Sequence, residues 1–193
     1  MLTNKDRLCE QSEPQSYPVV GQIGHIHMVI CDFIKGILKV NKRTRGFEEV
    51  SMEMMENTKK AILPERGTKA AAGYDFSTPL TVTIPAKNKE TIWTNIKAYM
   101  QDEEVLLVYV RSSIGIKKGL TLANGTGVID ADYYNNEDNE GNIGICLVNN
   151  TDEDIVLKED ERIAQGVFMP YLISDNGNSG VTRVGGIGSS TNS

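Results

Sequence analysis

An all-β barrel or sandwich is the fold class this sequence predicts. Short runs of β-branched and apolar residues recur from Phe47 onward, turn residues separate them, and few windows keep a helical period. Leu80-Thr-Val-Thr-Ile84 alternates with period 2 between Pro79 and Pro85, which marks a strand. Val105-Leu-Leu-Val-Tyr-Val110 alternates less cleanly and predicts a second one. Ile143-Gly-Ile-Cys-Leu-Val148 is nearly all apolar, as a buried strand would be. Ile155–Leu157 and Ile163–Met169 supply further candidates, with breaks at Gly125, Gly127, Asn149-Asn150 and Asp152. One short helix fits Ser112–Lys118, although Gly115 weakens it by about 1 kcal/mol relative to Ala.

Two segments differ from this texture. Residues 1–46 hold both histidines, Cys9, Cys31 and the basic cluster Lys42, Arg43 and Arg45. The tail from Ser174 is rich in Gly, Ser, Asn and Thr and cannot bury enough surface to fold alone. Its composition fits a frayed terminus most simply; the alternative is an arm that closes over a ligand.

Length and charge bound the function. A chain of 193 residues is one domain, or one domain with an appendage, and 39% hydrophobic content is enough for a core. The most apolar stretch, Val19 to Val40, is broken by Gln22, Asp32, Lys35 and Lys39, so no membrane span is expected. The first residues lack a basic region followed by an apolar one, so no secretory signal is expected either. Three cysteines without metal-like spacing suit free thiols in a reducing cytoplasm. A net charge of −6 disfavours stable nucleic-acid binding, which needs a Lys/Arg-rich surface. A small anionic ligand remains open, because it needs only a few arginines and backbone N–H groups in one place.

Five short segments carry chemistry. Ala71-Ala-Gly-Tyr-Asp-Phe76 reads as a turn into a strand, with Gly73 free to take a special backbone angle. Val110-Arg-Ser-Ser-Ile-Gly115 releases a cation and two hydroxyls at a strand end; that suits phosphate, and equally a plain surface loop. In Asn124-Gly-Thr-Gly-Val-Ile-Asp-Ala-Asp-Tyr133, Asp130 follows two β-branched apolar residues, which suits a general base or a turn aspartate. Glu161-Arg-Ile-Ala-Gln165 sets an Arg and a Gln at a strand start. Arg183-Val-Gly-Gly-Ile-Gly-Ser-Ser-Thr191 is a Gly-rich run with Arg and hydroxyls, able to wrap phosphate with bare N–H groups.

In this order the five segments resemble the trimeric dUTP pyrophosphatase (dUTPase) family, whose motifs look like A-G-Y-D, R-S-[GS], G-x-I-D-x-x-Y, R-x-A-Q and G-G-F-G-S-[ST]. Ala61-Ile-Leu-Pro64 and the long turn Tyr133–Gly141 are similar to the Gram-positive bacterial and phage variants. The resemblance covers about Arg45 to Thr191. It implies a distorted β-barrel or jelly roll over residues 45–173, an N-terminal extension over 1–44, and an arm over 174–193 that closes the active site. It implies a homotrimer with sites at subunit interfaces, and hydrolysis of dUTP to dUMP and pyrophosphate. Asp130 matches the residue that activates the attacking water, and Tyr133 the ring that packs on deoxyribose. Asn124 matches the residue on the uracil edge, and Arg111, Ser112, Ser113 and Gln165 match phosphate contacts. Asp75 matches a carboxylate that binds water on Mg²⁺. Arg183, Gly186, Ile187, Ser189 and Ser190 match the closing arm.

The chain also departs from the family pattern. Ile187 replaces a Phe that stacks on uracil, a contact of roughly 1–3 kcal/mol for base–aromatic stacking. Arg183 lies one residue nearer the Gly-Gly pair than usual, and Asn95 stands where the family has Gly after Thr94, a change Asn tolerates because it accepts positive φ. Residues 1–44 have no family counterpart, and three readings stand for them: a segment that binds a protein partner, a structured cap on the barrel, or an upstream extension without function. Within them His25, His27, Cys31 and Asp32 do not make a standard zinc framework. Two alternatives to the hydrolase stand beside it: a regulatory protein of the same fold, and a dCTP deaminase. The deaminase would need a Glu where Cys146 stands.

Overall fold

The computed structural model describes residues 43–177 together with Gly180 and Gly185. The predicted extension over 1–44 falls outside them except for Arg43 and Thr44, and so do Arg183, Gly186, Ile187, Ser189 and Ser190. The described residues form twelve strands: β1 (Gly46–Glu49), β2 (Glu65–Arg66), β3 (Tyr74–Ser77), β4 (Val82–Ile84), β5 (Lys89–Trp93), β6 (Ile96–Tyr99), β7 (Glu104–Val110), β8 (Leu120–Leu122), β9 (Gly127–Asp130), β10 (Gly144–Asn149), β11 (Ile155–Leu157) and β12 (Arg162–Pro170). Helix α1 (Ser112–Lys118) joins β7 to β8. It forms despite Gly115 because Ile114 is buried on its inner side, and Gly119, at φ 68°, ends it in the left-handed conformation that glycine takes without strain.

Every strand pairing is antiparallel. The largest sheet runs β2-β3-β12-β7-β9, and β5-β10-β8, β1-β6 and β4-β11 complete a distorted barrel. Phe76, Ile84, Ile96, Leu106, Leu120, Leu147, Leu157 and Ile163 fill the interior. On β10 burial alternates: Ile145, Leu147 and Asn149 point inward, and Gly144, Cys146 and Val148 do not. The run at Leu80–Ile84 is shorter than its pattern suggests. Only Val82–Ile84 pairs, because the Thr78 hydroxyl donates to the Leu80 carbonyl at 2.6 Å and holds that stretch in a turn.

Turns are fastened by buried amides. Asn95 has φ 57°, as expected for a residue in the place of a glycine. Its buried side chain donates to the Asn57 and Lys59 carbonyls at 3.1 and 3.0 Å and accepts from the Glu56 N–H at 3.2 Å. The long turn after Tyr133 is tied to β6. Lys97 Nζ donates to Asn135 Oδ1 at 2.7 Å and to Glu140 Oε2 at 2.9 Å, and the Ser51 N–H donates to the same Glu140 oxygen at 3.0 Å.

Candidate active site

The barrel gathers the predicted residues into two groups. The first lies where β3, β12 and β7 pair. Asp75 on β3 stands opposite Gln165 on β12, which stands opposite Tyr109 on β7. Arg111 leaves β7 with its N–H bound to the Ile163 carbonyl at 3.1 Å. Its Nε pairs with Asp75 Oδ1 at 3.0 Å, and Arg162 Nη1 reaches Asp75 Oδ2 at 3.3 Å. Ser112 and Ser113 open α1 directly after Arg111, Ser112 exposed and Ser113 half-buried. Gly73 allows the close approach of Gln165: a Cβ there would lie 2.8 Å from Gln165 Oε1. A carboxylate, two guanidinium groups, an amide and hydroxyls therefore share one face, with Asp75 keeping the cations in place.

The second group surrounds a cavity of about 380 Å³. Asn124, Asp130 and Tyr133 line it, with apolar walls from Val108, Leu122, Ile143 and Ile145. Asn124 sits in the connection between β8 and β9, fixed by the Ala123 N–H on the Cys146 carbonyl at 3.0 Å and the Thr126 N–H on the Asn124 carbonyl at 2.8 Å. Asp130 ends β9 and precedes the 3-10 turn Ala131–Tyr133, so the carboxylate and the ring follow one another at the cavity edge. Tyr133 is 6% exposed, and its hydroxyl donates to the Asn142 carbonyl at 3.0 Å. The arrangement suits a flat polar ring joined to a sugar: apolar faces, one amide at the rim and one carboxylate at the exit.

Within one chain the two groups stay apart. Asp130 pairs with Val105 at one end of β7, and Arg111 follows its other end, about 20 Å away at the rise of an extended strand. The cavity walls include neither Arg111, Ser112, Gln165 nor Asp75.

Some lining residues had no role in the sequence reading. Gly144 and Cys146 of β10 form part of the cavity wall, and only the strand pairing reveals it. Arg162, given no binding role, reaches Asp75; its place in Arg-Ile-Ala-Gln was the available signal. No group of three or more His, Cys, Asp or Glu side chains able to hold a metal occurs among the described residues. None of the described helices is long and apolar enough to cross a membrane.

The dUTPase family model matches residues 59–191 of this sequence. The chain belongs to the dUTPase family. A deoxyuridine 5'-triphosphate nucleotidohydrolase from Lactococcus lactis is 45% identical to this family member over 149 residues, 76% of this chain and 97% of the relative. The crystal structure of a Streptococcus mutans dUTPase matches with a TM-score of 0.62 and 46% identity, covering 68% of this chain and 99% of that one. A Staphylococcus bacteriophage 80alpha dUTPase, 24% identical, shares the fold at a TM-score of 0.57 over 72% of this chain and 90% of its own. The distorted barrel seen here is thus the dUTPase fold, and the likeness to Gram-positive members fits the relatives found.

Proposed function

We propose that this dUTPase-family chain hydrolyses dUTP to dUMP and pyrophosphate, with the deoxyuridine in the Asn124–Asp130–Tyr133 cavity. The observation that carries the reading is the convergence of those three side chains, from separate positions of one motif, on a single cavity of nucleoside size. Asn124 and the backbone of the β8–β9 connection bond the uracil edge; cytosine would leave one of those groups mismatched. The Tyr133 ring packs on the deoxyribose and leaves no room for a 2′-hydroxyl. Asp130 orients a water and takes its proton as the oxygen bonds the α-phosphorus. The bond from that phosphorus to the bridging oxygen breaks in line, and pyrophosphate leaves.

Arg111, Ser112, Ser113 and Gln165 hold the phosphate oxygens and stabilise the charge that develops on them. Asp75 uses one oxygen on each arginine and has further lone pairs for water on a Mg²⁺ carried by the triphosphate, which fits an indirect contact. Bound there, Mg²⁺ would neutralise phosphate charge. Because Arg111, which would hold phosphate, and Asp130 lie about 20 Å apart in one chain, the working site takes them from different copies, as in a homotrimer. Arg183, Gly186, Ile187, Ser189 and Ser190 would then close on base and phosphates, and the enzyme works in the cytoplasm.

The test is pyrophosphate release from dUTP, dCTP, dTTP and UTP in parallel. Rapid release from dUTP alone is expected. Equal rates with dCTP or UTP would remove the reading, and ammonia release from dCTP would favour a deaminase.

A further inference from the structure

Tyr133 is held at both of its ends by the turn that follows it. At the ring end, the hydroxyl donates to the Asn142 carbonyl and accepts from Asn139 Nδ2, each at 3.0 Å. At the backbone end, the Tyr133 carbonyl accepts from Asn136 Nδ2 at 2.8 Å. The two asparagines also hold each other. Asn136 Nδ2 donates to Asn139 Oδ1 at 2.9 Å, and Asn136 Oδ1 accepts from the Asn139 N–H at 3.1 Å. Asn139 Oδ1 accepts in addition from the Gly141 N–H at 3.0 Å. An exposed Asn-rich turn needs none of this, because water satisfies its amides. Here the amide groups are turned inward onto one tyrosine.

A wall that separates deoxyribose from ribose must resist the displacement that a single extra oxygen would cause. A tyrosine has two soft torsions, so its ring swings unless both ends are fixed. A backbone bond alone leaves the ring free to turn, and a hydroxyl bond alone leaves its root free. The turn supplies both.

We infer that Asn139, braced by Asn136, is a positioning residue that clamps the Tyr133 ring and so sets the preference of this enzyme for deoxyribose over ribose. The inference rests on the sugar-facing role given to Tyr133 above. Asn139 touches neither substrate nor water in this scheme; it acts through the Tyr133 hydroxyl.

The test is the ratio of kcat/KM for dUTP to that for UTP in Asn139→Ala, Asn139→Asp, Tyr133→Phe, Tyr133→Ala and the double variants of each Asn139 change with Tyr133→Phe. Asn139→Asp keeps an oxygen for Asn136 and Gly141 but replaces the N–H with a charged acceptor to which the Tyr133 hydroxyl can donate, so it exchanges one hold on the ring for another. Tyr133→Phe removes the bond from the tyrosine side and leaves the turn intact. It therefore keeps the test alive should the Ala variant fail to fold. Asn139→Ala and Tyr133→Phe are each expected to lower the ratio roughly three- to tenfold, the effect of losing a hydrogen bond on the ring. In the Tyr133→Phe background neither Asn139 change should lower it further, because the hydroxyl through which Asn139 acts is gone. An unchanged ratio in Asn139→Ala or in Tyr133→Phe, or an equal loss when Asn139→Ala is added to Tyr133→Phe, would overturn the clamp. Should Tyr133→Ala also leave the ratio unchanged, the sugar-facing role itself falls. A ratio lost in Tyr133→Ala but intact in Asn139→Ala and Tyr133→Phe removes the clamp alone.

Discussion

Asp130 is the last residue of β9 and sits where an apolar strand meets a polar turn, at the rim of the cavity. Replacing its carboxylate with an amide of the same shape keeps the packing and removes the proposed base. Asp130→Asn is therefore expected to lower kcat about 10²–10⁴-fold while dUTP still binds. Steady-state rates beside equilibrium binding of a non-hydrolysable dUTP analogue check this; a variant with more than half the native turnover would end the assignment. Gly73 offers a complementary case, because its effect passes through a neighbour. A Cβ at this position would meet Gln165 Oε1 at 2.8 Å, the far end of a flexible side chain. Gly73→Ala should thus move the melting temperature little and displace Gln165 from its place opposite Asp75. Turnover is expected to fall about tenfold, in line with the sensitivity of phosphoryl chemistry to positioning. Native turnover in this variant would show that Gln165 does not contact the phosphates.

The elements that carry these residues are held by a few side-chain ties, and the turn after Tyr133 shows how strongly. Lys97 beside Glu140, helped by the Ser51 N–H, lowers the Glu140 carboxyl from its ordinary 4.5 to about 2. A carboxyl depressed in the folded state contributes stability above its unfolded pKa and loses it as pH falls toward the folded one. Lys97→Met is expected to cost about 1–2 kcal/mol at neutral pH, a charge-assisted hydrogen bond on a partly exposed pair. That gap should narrow as pH drops from about 4.5 toward 2, because acid then removes the same charge in both proteins. Urea unfolding at pH 7 and pH 3 measures it; an equal gap at both would show that the carboxylate is not the partner. The same turn shows where sequence reading stops. Val105–Val110 and Ile143–Val148 announce themselves because both runs are apolar almost throughout, although burial on β10 alternates and Tyr109 on β7 is exposed. Lys89–Trp93 does not, since Lys89, Glu90 and Thr91 are exposed and Ile92 alone is buried. The motif residues Asp75 and Gln165 could be named one by one, but their adjacency depends on the pairing of β3 with β12, far apart in sequence. Asn136 and Asn139 were hidden for a related reason: an Asn-rich stretch looks like any solvated turn until its amides are seen facing Tyr133.

At the scale of the whole molecule, β7 acts as a spacer. In one chain it sets Asp130 at one end and Arg111 past the other, about 20 Å apart. Tyr171, Leu172 and Ile173, directly after β12, are exposed on the single chain, an apolar run of the kind that partners cover. If sites form between copies, two inactive chains can repair each other. Asp130→Asn lacks the proposed base but has a sound Arg111; Arg111→Ala lacks the proposed phosphate contact but has a sound Asp130. A site built from an Arg111 of the first and an Asp130 of the second is complete. In trimers assembled at random from equal amounts of the two, about a quarter of all sites are of this kind. Refolding the two variants together from denaturant should therefore restore roughly a quarter of native turnover, while each refolded alone stays near zero. Light scattering on the same samples should give the mass of three chains. Activity that never exceeds the sum of the two separate variants would place base and phosphate contact in a single chain, and the distance along β7 would then have to be bridged by a different binding pose.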